Sequence, residues 1–201
     1  TAPGDDRTNQ VDVITAEEHT TTTRTFDLVI VAVKAGGLDS VIADIGPAVG
    51  EQTTIIPFLN GMAQIEKLQS RYPGQVLGGF VKIVGTIRDG AVVQLTDLAV
   101  MTIGDLHGAE VPTRISEALD VPGFKLQTVD GINDGLWEKW IFIAAAGVVT
   151  CLFRAPVGAI MEAGGRSHVY AIIDELEAVA AAAGHPVSEA SHAMTIKMLT
   201  E

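Results

Sequence analysis

A lysine inside an apolar helix and two polar residues at the ends of apolar strands are the side chains of this sequence whose placement could do chemistry. Lys139 lies in LWEKWIFIAAA, where almost every other residue is apolar. An ammonium held partly out of water has a depressed pKa and can serve as a general acid near neutrality. The simpler arrangement is a lysine that lays its stem on the helix and keeps its head in water. Glu138 beside it points about 100° away around a helix and is assigned no role. Lys34 follows directly on FDLVIVAV, at the carboxyl end of a strand, where open α/β sheets bind their ligands. It is either a contact to a cofactor phosphate or a solvated loop lysine. Asn60, in FLNGM, stands at the equivalent end of the next strand. Its amide can donate and accept there, although Asn-Gly is also a common turn pair.

The other reactive types offer less. Cys151 has no histidine near it in a usable motif and reads as a small core residue. His19, His107, His168, His185 and His192 share no helical ligand spacing, so no metal site is expected. Arg154-Ala155-Pro156 and Gly164-Gly165-Arg166 read as helix punctuation with solvated arginines, a substrate-carboxylate role remaining open for Arg154.

The elements that must position these residues follow from the apolar periodicity. Residues 1–25 are polar, with the run Thr20–Thr25, and supply at most an edge strand and a loop. FDLVIVAV is the near-continuous β-branched text of a strand buried on both faces. A helical pattern at 38–49 and a second apolar run at 53–58 complete a βαβ crossover in a parallel sheet. A short helix around Ile65 and Leu68 follows. Then come the β-rich runs VLGGFVKIVGTI, AVVQL and AVMTIG, separated by turn signals at Arg88-Asp89-Gly90 and Thr96-Asp97, which read as antiparallel strands appended to the parallel part. A helix at 111–119 and a strand at 124–129 close this portion. Beyond Asp130 the text is helical: 133–153, apolar nearly all round and hence buried, then 157–163, 168–183 and 188–199.

The 201 residues include 25 acidic and 13 basic side chains, a net charge of -12, 47% hydrophobic residues and one cysteine. That is ample for a folded core and excludes a disulfide scaffold. A phosphate lattice would repel most of this surface, which argues against nucleic acid and anionic membrane as partners. No stretch reaches the roughly 20 uninterrupted apolar residues of a membrane helix, and TAPGDDRTNQ has no signal pattern, so a cytoplasmic protein is expected. A dinucleotide-binding sheet normally opens with strand, G-x-G-x-x-G turn and helix. That spacing occurs nowhere here, and the text begins where the second half of such a sheet would begin.

With VAVKA at 31–35, NGM at 60–62, VLGG at 76–79, LWEKW at 136–140 and APVGAI at 155–160, in matching order and spacing, the chain resembles the ketopantoate reductase family over residues 12–201. The resemblance implies NADPH-dependent reduction of 2-dehydropantoate to (R)-pantoate, a step towards pantothenate and coenzyme A. It implies an α/β fold: a partial Rossmann-type NADP-binding domain over 1–129, then the first part of an all-helical substrate and dimerisation domain over 130–201. The active site would lie in the cleft between them, in a homodimer acting on a small 2-oxo acid. Carried over by motif, Lys34 contacts the phosphate-bearing adenosine end of NADP, Asn60 lies beside the nicotinamide ribose and the substrate, and Lys139 binds the substrate and acts as general acid. As hydride adds to the ketone carbon, charge grows on its oxygen, and a positioned ammonium stabilises that charge and donates a proton.

The chain also departs from the family pattern. Pantoate-forming members carry asparagines four and eight residues after the lysine; here Ile143 and Gly147 stand there, making a less polar pocket. The alternative this leaves is a paralogous oxidoreductase acting on a different, more apolar 2-oxo or 2-hydroxy substrate. The sequence ends before the family's substrate-binding Ser and Glu, so with no Gly-rich turn either, the 201-residue chain alone is expected to show little or no activity. The reading from another class is a non-catalytic assembly module that associates through its apolar helices.

Overall fold

The computed structural model describes residues 10–20 and 24–201; the first nine residues and the threonines at 21–23 lie outside the described residues. The chain divides into two compact units, Thr1–Ile132 and Asn133–Glu201.

In the first unit, β1 (Phe26–Val31) and β2 (Val49–Pro57) pair in parallel, in register from Leu28↔Thr54 to Val31↔Pro57. The crossover between them is shorter than its periodicity predicts. Helix α2 spans only Leu38–Asp44, because Gly46-Pro47 follows. Proline fixes φ and lacks the N–H that would bond back to Ala43 and continue the helix, so the chain makes one 3₁₀ turn, Gly46–Ala48, and enters β2 early. Thr53 secures that entry: Gly50 N–H donates to its Oγ1, which donates to the Phe26 carbonyl.

The expectation that β1 is buried on both faces is corrected. Val31 is its one buried residue and Ile30 is 44% exposed. The composition suits two-sided burial, but among the described residues β1 pairs with β2 alone and stands at a sheet edge.

The sheet continues through a parallel bridge. Ile55 N–H donates to the Gln75 carbonyl, and the Ile55 carbonyl accepts from Leu77 N–H. From there β3 (Gly78–Arg88) pairs antiparallel with β4 (Ala91–Gly104), and β4 pairs in parallel with β5 (Lys125–Val129). The turn Asp89-Gly90 has positive φ at both residues, as the tightest hairpins require. Thr96-Asp97 does not end a strand, as its turn signal predicts. Ile83 pairs with Ala99 and Gly85 with Gln94, so Val84 faces the stretch Leu95–Leu98 across a bulge, held by Gln94 Nε2 on the Thr96 carbonyl.

Helix α3 spans Ala63–Arg71 and α4 spans Thr113–Leu119. Ile56, Leu77, Ile103, Ile115 and Leu119 form the core between sheet and α4. Gly79 is required by close approach: a Cβ there would lie 2.5 Å from Ile56 Cγ2 and 2.7 Å from Phe58 Cε1.

Before β1, where a strand and loop are the most the text suggests, residues Ala16–Thr20 form a short helix, α1. Its signal is a capping box. Glu18 N–H donates to Thr15 Oγ1, while Glu18 Oε2 accepts from Thr15 N–H.

The second unit is helical: α5 (Asn133–Phe153), α6 (Val157–Glu162), α7 (Arg166–Ala182) and α8 (Glu189–Thr200). Ala145, Val149, Ile160, Val169, Ile173 and Leu199 are its core. Helix α5 is not buried all round, contrary to its composition. Leu136, Ile141, Ala145 and Val149 are buried, whereas Val148 is 44% and Leu152 67% exposed. Three neighbouring helices cover one stripe of α5, and its composition exceeds what that stripe needs. By length and composition α5 could cross a membrane, with 21 residues and an 18-residue stretch of mean hydropathy 1.6. Cys151, read from sequence as a core residue, is exposed, since it falls off the buried stripe.

Arg154, with φ of 50°, ends α5 in a left-handed turn and is exposed. Arg166 is more than a solvated terminator, because it donates to the Thr200 carbonyl and ties the start of α7 to the end of α8.

Candidate functional site

Strand register brings Lys34 and Asn60 to one edge of the parallel pair. Val31 is level with Pro57, and each chain runs three residues further to reach Lys34 and Asn60, both exposed. Lys34 is in extended conformation and starts a 3₁₀ turn, its carbonyl accepting from Gly37 N–H. Asn60-Gly61 is a turn as well as a strand end, with φ of 98° at Gly61. The residue that shapes it, unforeseen from sequence, is Gln64. Buried on α3, its Nε2 donates to the Gly61 carbonyl at 2.6 Å and the Leu59 carbonyl at 3.3 Å, bracketing Asn60. A glutamine four residues after the asparagine of an Asn-Gly turn, in the first turn of the following helix, is the signal the sequence offers.

The opposite end of β2 carries a cavity of about 190 Å³ lined by Gln52, Gln75, Asp105 and Arg114 among others. Arg114, also unforeseen, is committed to structure there. It donates to the Asp27 and Gln52 carbonyls and to Thr54 Oγ1, pinning α4 to both parallel strands.

Lys139 lies in the second unit, half-buried on α5. At about 100° per residue, Lys139, Ile143 and Gly147 share one face, turned away from the stripe of Ile141, Ala145 and Val149. A Cβ added at Gly147 would meet nothing within 4 Å. The beginning of α5 is held by the α7–α8 loop. His185 Nδ1 lies 2.7 Å from Asp134 Oδ1, its ring stacks on Trp137 at 5.6 Å, and Ser188 donates to Glu138 Oε1 from Oγ at 2.5 Å and from its backbone N–H at 3.2 Å. Glu138, given no role from sequence, is therefore a partner of α8. Among the described residues no group of three or more His, Cys, Asp or Glu side chains could hold a metal ion.

A mixed α/β unit with a parallel strand pair and ligand-type residues at its carboxyl edge, followed by a helical unit, defines a Rossmann-like N-terminal domain and a helical C-terminal domain. Residues 1–108 match the family described as "Ketopantoate reductase PanE/ApbA" and residues 131–201 its C-terminal counterpart. The chain belongs to the ketopantoate reductase family.

It is 31% identical over 198 residues to an uncharacterised oxidoreductase, YkpB, of Bacillus subtilis, covering 95% of this chain and 63% of that protein. The crystal structure of 2-dehydropantoate 2-reductase from Porphyromonas gingivalis shares the fold, with a TM-score of 0.77 at 21% identity over 88% of this chain and 62% of that one. A dimeric ketopantoate reductase from Staphylococcus aureus gives 0.73 at 26%, over 90% and 66%. The chain thus spans about six tenths of the length of these relatives.

Proposed function

We propose that the protein is an oxidoreductase that reduces a 2-oxo acid with a nicotinamide cofactor, NADPH, and that its substrate is 2-dehydropantoate, giving (R)-pantoate. The observation that carries this is Lys139 on α5, in the family's LWEKW motif, on the helix face that also holds Ile143 and Gly147. When bound, the cofactor supplies a hydride. Lys139 stabilises the charge that grows on the carbonyl oxygen and gives that oxygen its proton, so that ketone, hydride and proton together make the alcohol. Lys34 fits the phosphate-bearing adenosine end: it is a cation at the carboxyl edge of a parallel strand. Asn60, held by Gln64, fits the nicotinamide ribose and the substrate, with an amide that donates and accepts.

We place the enzyme in the cytoplasm, as a homodimer, with residues 1–129 as the cofactor domain and 130–201 as part of the substrate and dimerisation domain. The exposed apolar residues of α5 support the pairing.

Ile143 and Gly147 favour a second substrate class, a 2-oxo acid more apolar than 2-dehydropantoate, because neither side chain can hydrogen-bond a substrate hydroxyl. A panel of 2-oxo acids assayed with NADPH and NADH on the whole protein decides between them. In that protein Lys139→Ala lowers kcat by about 10²–10⁴-fold and leaves the Kd for NADPH unchanged; turnover equal to wild type would overturn the assignment. Titrating NADPH into the 201-residue chain and the whole protein checks the cofactor site. Equal micromolar binding would contradict the expectation that the chain alone holds NADPH weakly.

A further inference from the structure

We propose that the α7–α8 loop is a rotational clamp on α5, and that Glu138 is its positioning residue for Lys139; the proposal rests on the reading of Lys139 as general acid.

A helix points each side chain in a direction fixed by its rotation about its own axis. Burial usually sets that rotation, because one face is apolar and the other is not. Helix α5 is apolar around most of its circumference from Trp140 to Phe153, and its buried stripe includes the small Ala145 and Val149. Turning it would exchange one apolar surface for another. Its first turn is also weak, since Gly135 sits within it and glycine is a poor helix former.

What breaks this degeneracy is polar and lies at the turn before Lys139. Asp134 and Glu138, four residues apart, share a face with Ala145 and Val149. Each is engaged by the same loop, Asp134 by His185 and Glu138 by Ser188, with Trp137 stacked on the His185 ring between them. Fixing Glu138 fixes Lys139, which lies about 100° further round.

The loop is itself rigid for local reasons. Gly184, at φ of 89°, closes α7: His185 N–H donates to the Ala180 carbonyl and Gly184 N–H to that of Ala181, the paired bonds of a left-handed helix stop. Ser188 opens α8 as its N-cap, accepting from Ser191 N–H. Its Oγ thus accepts from α8 while donating to Glu138, joining the start of one helix to the acid group of the other.

The test uses the whole enzyme, with NADPH oxidation by 2-dehydropantoate as the activity readout and hydrogen exchange of the 133–143 segment as the structural one. Glu138→Ala removes the acceptor. Ser188→Gly removes the hydroxyl donor and leaves only the backbone N–H on Glu138, while glycine remains an accepted N-cap for α8. Glu138→Gln keeps an acceptor oxygen without the charge. We expect Glu138→Ala to lower kcat by about 10–100-fold, the size of a misplacement near 1 Å, with KM for NADPH within about twofold and faster exchange at 133–143; Ser188→Gly, which keeps the backbone N–H on Glu138, moves both readouts the same way by a smaller amount. Glu138→Gln restores both readouts. The clamp is overturned if Glu138→Ala keeps wild-type kcat while Lys139→Ala does not, or if Glu138→Gln is as impaired as Glu138→Ala. Should Lys139→Ala itself be harmless, the general-acid reading falls, and hydrogen exchange still judges whether the loop holds α5.

Discussion

At the scale of single residues, the described chain fixes several polar side chains through short reciprocal contacts. Glu18 shows the electrostatic consequence. It accepts from Thr15 twice, first from the backbone N–H and then from the hydroxyl, and these hold its carboxyl below its ordinary value of 4.5. A lowered folded-state pKa means stabilisation that is present above the ordinary carboxylate range and lost as pH falls through the lowered value. An NMR titration should therefore find the Glu18 carboxyl ionising at lower pH than in an unstructured peptide. Thr15→Ala moves it partway back, and identical titration of wild type and variant would refute the capping box. Lys139 was legible in the sequence because a charge stands out in an apolar helix. Its support was not, since the residues that grip the neighbouring turn lie about fifty positions downstream, at His185 and Ser188. No periodicity connects side chains that meet only after three helices have packed.

At the scale of elements, local chemistry explains both agreement and failure. Helix α5 begins and ends where the pattern indicates, at Asn133 and Phe153, because its apolar run is long and a left-handed residue closes it. Helix α2 ends five residues early, since a single Gly-Pro pair outweighs a favourable apolar spacing. The Thr96-Asp97 signal is real turn chemistry spent on a bulge inside a continuous strand, a choice made by the neighbouring strand and invisible to β4 alone. The approach of β2 and β3 depends on Gly79. Gly79→Ala drives a methyl into Ile56 and Phe58 and should destabilise the protein by about 1–3 kcal/mol, as overpacking does. Gly85, in the same strand, would place its Cβ at an ordinary 3.5 Å from the nearest atom, so Gly85→Ala serves as the control. Equal melting temperatures for the two variants would rule out that close approach.

At the scale of the molecule, α5 has more apolar surface than its own unit covers. If two copies pair through it, a charge there should separate them. Leu152, 67% exposed, is the place to put one. On the proposed homodimer, Leu152→Glu is expected to sediment as a monomer with unchanged far-UV circular dichroism where the wild type sediments as a dimer; a variant that stays dimeric moves the interface elsewhere. The fold class was readable from the order of strands and helices, whereas the degree of burial was not, because burial depends on what covers a face and composition records only what the face would tolerate. One consequence follows from the neighbouring residue. Cys151 is the sole thiol of these 201 residues and is open to reagents, so a nitroxide attached there gives each chain a single magnetic address on the very helix whose pairing is in question. The dipolar coupling between two such spins would report the spacing of the subunits without altering any other side chain.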